Sequence, residues 1–355
     1  TDGNAIATTG YGTFTSGNMA EIFEVTTTFA EADITDIRFT QSADTLYLFH
    51  PDFPPQQLVR VSALSWSLSD IVFTDGPYDA TNTTSTTLTP SSATNVASTS
   101  VSGCADNGAG LIRVTSTTHG LVTGDAVLVA GVTGTTEANG YWKVTLVDAN
   151  NVDLVGSAFV NTYSAAGTIS KLVKLTASAV TGINTNTGFQ TTDVDRLVRA
   201  KEASTWGYGV IKFRDSTTAV WADIQSTLTN TNAKTSWRLG IWSDTTGFPA
   251  VGTFHEDRLW LGGAATTPQR LDGSKTGAYT NFSPTATDGA VADDNAVAFT
   301  LNSDDVNAIR WLLSNEKGLL VGTSRSEWQI KAASLTEAIT PTNVSARPSS
   351  RYGSA

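Results

Sequence analysis

The chain has 355 residues, and 22 lysines and arginines against 33 aspartates and glutamates give it a net charge of −11. Charged residues make up only 15% of the chain, and threonine, serine, asparagine and glycine take the missing polar share. Because these residues hydrogen-bond to their own backbone or lose entropy in a helix, a helical bundle or a coiled coil is excluded. The acidic balance, without a cluster of lysines or arginines, argues against tight binding to a phosphate backbone.

The composition also restricts the covalent chemistry and the compartment. No apolar run approaches the roughly 18–20 residues that cross a bilayer, so no membrane-spanning segment is expected. The single cysteine, Cys104, can form neither an internal disulfide nor a structural zinc site. The chain opens in polar residues without an initiator methionine and ends without a closing element. We therefore expect it to be part of a longer protein that continues at both ends.

Along the chain, short runs rich in β-branched and aromatic residues alternate with glycine, asparagine and aspartate turns. Residues 45–49, 209–213 and 258–261 are examples. Their length and spacing indicate strands of an antiparallel meander. Asp75-Gly76 and Asn139-Gly140 are dipeptides that tight hairpin turns prefer. The sequence predicts an all-β protein.

Composition divides the chain into four stretches. Residues 81–102 carry no charge and few apolar side chains, which predicts a Thr/Ser-rich linker or an extended excursion. Residues 103–172 hold five or six strand signals, and a stretch of about 70 residues with that many strands suits a small closed β-barrel. Residues 1–80 and 173–355 share longer, aromatic strands. We interpret them as the two parts of one larger β domain, with the barrel inserted into one of its loops.

The larger domain contains a weak internal repeat. Residues 37–48, 254–262 and 309–321 each consist of a strand pattern, an acidic turn and a second strand pattern. Antiparallel units of this kind stack radially in β-propellers, where each sheet needs a neighbour to bury its face. The repeat therefore favours a propeller-like set of antiparallel blades, with a large β-sandwich as the alternative.

Residues that carry chemistry do not form a recognisable motif. The three histidines, His50, His119 and His255, lie far apart, and none has the spacing of a zinc-binding helix. A nucleophile elbow, a phosphate loop and a dinucleotide fingerprint are all absent from the sequence. We predict no catalytic residue and no cofactor, and we interpret most of the nine tryptophans as core residues.

Adjacent carboxylates are the one candidate for a metal site or for catalysis. Asp293-Asp294 and Asp304-Asp305 flank the predicted strand 296–301. Such pairs are typical of solvated turns, but acidic oxygens also bind Ca²⁺, and two facing acids can hydrolyse glycosides. Asp293, Asp294, Asp304 and Asp305 are therefore candidate Ca²⁺ ligands, and no other metal is expected.

Several blocks of the sequence resemble one family. Residues 41–55, 71–78, 247–282, 297–311 and 319–328 are similar to stretches of the tail nozzle (tail tubular or stabilisation) proteins of short-tailed bacteriophages. The blocks occur in the family's order and cover most of the chain outside the predicted barrel. The barrel segment itself resembles small β-barrel modules of phage structural proteins.

The resemblance implies a structural protein of the virion tail, not an enzyme. Six copies would form a ring below the portal and the adaptor ring, with tail fibres or spikes docked nearby. The genome would pass through the central channel without specific binding, and an acidic protein repels phosphates. Two alternatives remain open: a carbohydrate-binding β-propeller that acts as an adhesin or lectin, and a glycoside hydrolase that uses an aspartate pair.

Overall fold

A computed structural model describes residues 25–63, 65–302, 306–334 and 337–354. These residues contain 25 β-strands and four short 3₁₀ helices, so the predicted all-β class is confirmed. In these ranges, no helix has both the length and the apolar character needed to cross a bilayer. The 3₁₀ helices span Glu31–Asp36, Thr136–Ala138, Asn184–Asn186 and Thr191–Asp193.

Three sheets are four-stranded antiparallel meanders, which we call blades one, two and three. Blade one contains β1 (Arg38–Ser42), β2 (Thr45–His50), β3 (Phe53–Ser62) and β4 (Ser65–Asp70). Blade two contains β18 (Val251–His255), β19 (Arg258–Ala264), β20 (Thr267–Gly273) and β21 (Val297–Thr300). Blade three contains β22 (Ile309–Asn315), β23 (Gly318–Thr323), β24 (Glu327–Lys331) and β25 (Ser345–Ser350). The three copies of the sequence repeat fall on the first hairpin of each blade.

The first strands of the blades lie side by side, because β18 contacts both β1 and β22. This arrangement is propeller-like, as the repeat predicted. Phe49 of blade one is fully buried and packs with Leu259 and Leu261 of blade two. Trp260, on the other face of β19, packs with Leu319 and its neighbours in blade three. Blade two is therefore covered on both faces.

Between blades one and two the chain forms a seven-stranded antiparallel barrel. Its strands are β6 (Thr99–Ser100), β7 (Gly103–Asp106), β8 (Ile112–Thr115), β9 (Ala126–Ala130), β10 (Gly140–Asp148), β11 (Asn151–Leu154) and β12 (Thr168–Lys171), in the order β6-β12-β9-β10-β11-β8-β7. The two ends meet in one segment: the Val101 N–H donates to Gly167, and the next N–H, of Ser102, donates to Thr115. This closure leaves no free edge at that segment.

A six-stranded curled sheet packs beside the barrel. Its strands are β5 (Leu88–Pro90), β13 (Val173–Ala177), β14 (Leu197–Glu202), β15 (Thr205–Ser216), β16 (Ala219–Ser226) and β17 (Ser236–Leu239), in the order β17-β14-β15-β16-β13-β5. An isolated pairing of Leu88 with Lys234 joins its two end strands. Its concave side holds a core of fifteen buried apolar residues that includes Leu88 and Trp237.

Residues 81–102, the predicted Thr/Ser-rich linker or extended excursion, contribute to two sheets. The segment supplies β5 to the curled sheet and β6 to the barrel. Its polar side chains are engaged as well: the buried Thr86 hydroxyl donates to the Thr181 carbonyl (2.8 Å), and the Thr86 carbonyl accepts from the Trp237 indole (2.9 Å). Hydroxyl groups that bond to backbone carbonyls can line a packed segment, so low apolar content alone does not indicate a free linker.

The structure also places the boundaries of the larger domain differently. Residues 173–239 belong to the curled sheet and not to the blades, so the insertion between blades one and two is more than the predicted barrel. The aromatic strands of this region have the same composition as blade strands. They pair with one another and, through β13, with β5, which lies far earlier in the chain.

Phe49 and Phe39 allow a test of the contact between blades one and two. Phe49 is fully buried there, whereas Phe39 is 68% exposed on the other face of blade one. We expect Phe49→Ala to lower the free energy of unfolding by about 3–5 kcal/mol, because it leaves a cavity between two sheets. Phe39→Ala should change it by less than about 1 kcal/mol. Urea unfolding followed by tryptophan fluorescence measures both, and equal losses would contradict the packing described here.

Candidate functional sites

The predicted carboxylate site is described in part. The carboxylate of Asp294 lies 3.0 Å from Lys275 Nζ, and the carbonyl of Asp293 accepts a hydrogen bond from the buried Arg258 (2.7 Å). Asp304 and Asp305 fall outside the described residues. Within the described ranges, no group of three or more histidine, cysteine, aspartate or glutamate side chains could hold a metal ion. The loop of Asp293 and Asp294 therefore binds the buried Arg258 guanidinium. A joint carboxylate site of this loop with Asp304 and Asp305 stays a prediction.

The histidines lie in three separate parts of the fold. In His50 and His119, Nδ1 accepts a hydrogen bond from the backbone N–H two residues later, a local turn contact. His255 ends β18, and its Nδ1 lies 3.0 Å from the hydroxyl of Ser314 in blade three. His255 is buried, and burial lowers its pKa from the ordinary value of 6.5, against the opposing effect of Glu256. His255 therefore forms a buried contact between blades two and three.

Most tryptophans are core residues with their indole N–H groups satisfied. The Trp260 indole donates to the His255 carbonyl (3.1 Å), and the Trp328 indole donates to the Ser326 hydroxyl (2.8 Å). Trp206, Trp237 and Trp242 are buried too. Trp66 differs, because it is 40% exposed on blade one. A buried indole cannot serve as an open stacking platform for a sugar ring.

A cleft of about 350 Å³ lies where blade one meets the curled sheet and the 241–248 loop. Its floor is largely apolar, and Asp195 and Asp244 stand on its rim. Desolvation and the charge of Asp195 raise the pKa of Asp244. Lys212 Nζ, however, lies 2.6 Å from Asp195, whose side chain is 70% exposed. Asp195 and Asp244 are thus neighbouring carboxylates that the sequence did not single out, but both remain largely solvated.

Three arginines converge around Tyr78, between the curled sheet and blade two. Arg199 on β14 and Arg238 on β17 are direct partners in the strand register, and Arg270 lies on β20. Arg199 is almost completely buried, with its guanidinium carbon 5.0 Å from the centre of the Trp206 ring and 5.7 Å from that of Tyr78. Cation–π contacts of this kind stabilise a desolvated guanidinium.

Arg270 is fully engaged in the same cluster. Its Nη2 lies 2.9 Å from the buried Asp272 carboxylate and donates to the Tyr78 carbonyl (2.8 Å), and its Nε also bonds to Asp272. Burial raises the pKa of Asp272, whereas the Arg270 charge lowers it. The ion pair of Arg270 and Asp272 thus lines a cleft of about 270 Å³.

Arg238 lines the same cleft without such a partner. It is half-buried, and its Nε is buried with no hydrogen-bond partner in the part of the chain that the structure describes. Desolvation, followed by the charges of Arg199 and Arg270, lowers its pKa. The sequence did not predict this arginine cleft, because its residues lie on strands that are distant in the chain.

Blade one carries a second feature of functional interest. Phe39 is opposite Leu48, and Leu46, Leu58 and Leu68 are opposite one another across β2, β3 and β4. Residues directly opposite in antiparallel strands share a face, as do residues two apart in one strand. We call this side the free face; its members, none of them buried, are Phe39, Leu46, Leu48, Leu58, Trp66 and Leu68.

Comparison with known proteins identifies no family for this chain. A scan against protein-family models finds no match, and a search of curated proteins finds none. Among solved structures, the chain is similar to the phage phi92 endosialidase, with a TM-score of 0.16 and 11% identity over 87% of this chain and 43% of that one. The chain thus spans less than half of that protein, and a likeness at this TM-score carries no argument about function.

The buried His255 predicts a loss of stability in acid. Because its pKa is lower in the folded state than the ordinary 6.5, the unfolded chain binds the proton more readily. The stabilisation from neutral His255 is present above that value and is lost as the pH falls through the folded-state pKa. His255→Gln should flatten the melting temperature against pH in this window. Ser314→Ala, which leaves the imidazole titratable, should keep the dependence; an unchanged curve for His255→Gln would contradict this assignment.

Proposed function

We propose that this chain is a structural subunit of a bacteriophage tail, of the tail nozzle type, which works by assembling into a ring. The observation that carries the proposal is the free face of blade one. Phe39 is 68% exposed and Trp66 40% exposed on a face that also holds four leucines. A soluble monomer rarely leaves a contiguous apolar surface of this kind open, so such a face indicates a protein interface.

The blade arrangement supports a head-to-tail contact between copies. Among the described residues, blade two is covered on both faces, whereas blade one is covered on one face, by blade two. At the other end of the row, blade three exposes Leu313. Contacts between two different surfaces of identical subunits generate rings when the rotation closes. The sixfold number, the adaptor ring and the tail fibres as partners, and the location in the virion come from the family resemblance and belong to this proposal.

The charge of the chain fits a conduit for DNA. A net charge of −11 repels phosphates, and a channel that the genome must traverse gains nothing by binding it. We further propose that the subunit has no catalytic activity of its own. The alternative remains a glycan-binding or glycan-hydrolysing protein, and a specific signal on a glycan array, or hydrolysis that Asp304→Asn abolishes, would favour it.

Replacing the free face with charges tests the proposal. In Phe39→Glu/Trp66→Glu, we expect ring assembly to weaken by at least about tenfold, because two charges would be desolvated at the contact. Negative-stain images and light scattering after size exclusion measure the assembly of the purified protein. Circular dichroism and thermal melting establish that the variant is folded.

Val160→Glu is the matched control, because Val160 is 73% exposed on the barrel, away from the blades. It should assemble like the wild type. A wild-type protein that stays monomeric at every concentration would overturn the proposal, and so would a double variant that forms rings as readily as Val160→Glu.

A further inference from the structure

One arginine that lines the arginine cleft forms neither a hydrogen bond nor an ion pair within the described ranges. Arg199 is held by Trp206 and Tyr78, and its Nη2 donates to the carbonyl of Thr285 (3.2 Å). Arg270 is held by Asp272. Neither a hydrogen bond nor an ion pair joins the Arg238 guanidinium to any residue in the described ranges. Arg199 Nε and Nη1 are also buried without a hydrogen-bond partner in those ranges, but Arg199 does not line the cleft. Arg238 is therefore the unpaired guanidinium that faces it.

An unpaired guanidinium in this position is costly to the free protein. Arg238 is half-buried, so it has lost part of its hydration, and the charges of Arg199 and Arg270 act on it more strongly than the opposing charge of Asp79. Buried charges in proteins are normally paired, because desolvation of an isolated ion is not otherwise recovered. An acceptor that entered the cleft would supply hydrogen bonds to Arg238 and offset the repulsion from Arg199 and Arg270.

We propose that the cleft between β17 and β20–β21 is a binding site for a carboxylate, with Arg238 as its principal ligand. A planar carboxylate matches the fork of a guanidinium and forms two parallel hydrogen bonds with it. Asp79 and Asp272 also line the cleft. Their negative charges oppose any anion in the cleft, and they oppose a doubly charged phosphate more strongly than a singly charged carboxylate.

The walls define the rest of the ligand. Pro77, Phe282 and Phe299 contribute apolar surface to the cleft, whose volume of about 270 Å³ limits the occupant to a compact group. The carboxylate should therefore carry a short apolar substituent. A free carboxylic acid and the acidic side chain of a partner polypeptide share this chemistry. The site is independent of ring assembly, because none of these residues belongs to the free face.

The test measures carboxylate binding by the whole chain at constant ionic strength. Sodium propionate, sodium benzoate and sodium phosphate are each titrated against sodium chloride, with the melting temperature and amide NMR shifts as readouts. We expect both carboxylates to raise the melting temperature of the wild type and Arg238→Gln to lose the response. Arg238→Lys, which keeps the charge but not the fork, should bind about tenfold more weakly. Arg347→Gln, at an exposed arginine of β25, should respond like the wild type.

Stability without ligand separates a binding role from a structural one. If Arg238 serves a ligand, Arg238→Gln should be at least as stable as the wild type in chloride, because it removes repulsion. Marked destabilisation by Arg238→Gln, an equal carboxylate response of the two proteins, or a stronger response to phosphate than to carboxylate would each overturn the proposal.

A second arm distinguishes the two sources of the carboxylate. A short peptide with one glutamate between apolar residues is compared with the same peptide carrying glutamine. Binding of the glutamate peptide more tightly than propionate indicates a polypeptide partner, whereas tighter binding of propionate or benzoate indicates a free acid. If no carboxylate shifts the NMR signals of residues around Arg238 in the wild type, the site does not exist.

Discussion

A four-stranded sheet has two faces, and a single neighbouring sheet can cover only one of them. Blade two satisfies this requirement by lying between blades one and three, with Phe49 packed against one of its faces and Trp260 within the other. In the part of the chain that the structure describes, blade one has blade two on one side and the free face on the other. Apolar side chains at this end of the row of blades are therefore left unburied. The proposed assembly of copies would bury them.

The chain between blades one and two solves the same problem differently. The barrel and the curled sheet bring their edge strands together, so each encloses its own core and needs no neighbouring blade. The two units meet at Trp221, over whose ring lie the ammonium groups of Lys143, Lys171 and Lys174. Tyr141 of the barrel donates to Asp223 of the curled sheet (2.7 Å). Cations and aromatic rings thus surround a small apolar cluster of Ala126, Leu172 and Trp221 at this contact.

Buried arginines connect the loops to the sheets. Arg258 donates to the carbonyls of Ser274, Asp293 and Asn295, and Arg196 donates to Asp193 and to the carbonyl of Gly240. A guanidinium has five N–H groups in a fixed plane, so one side chain can satisfy several carbonyls of irregular backbone. Arg199 and Arg238 depart from this pattern, because each has a buried guanidinium nitrogen without a hydrogen-bond partner in the described ranges. Of the two, only Arg238 lines the cleft.

The sequence by itself determined the all-β class, the barrel and the first hairpin of each blade, because strand patterns and turn residues act over a few neighbouring positions. It did not determine the curled sheet, because β5 and β13 pair across about 85 residues. The composition of residues 81–102 is that of a linker, and only the structure shows that hydroxyl groups there bond to backbone carbonyls. The tertiary structure alone decided that Arg199, Arg238 and Arg270 meet, and that Asp195 lies near Asp244. These contacts depend on how separate sheets pack, and packing is set by the summed fit of many side chains, which no local pattern records.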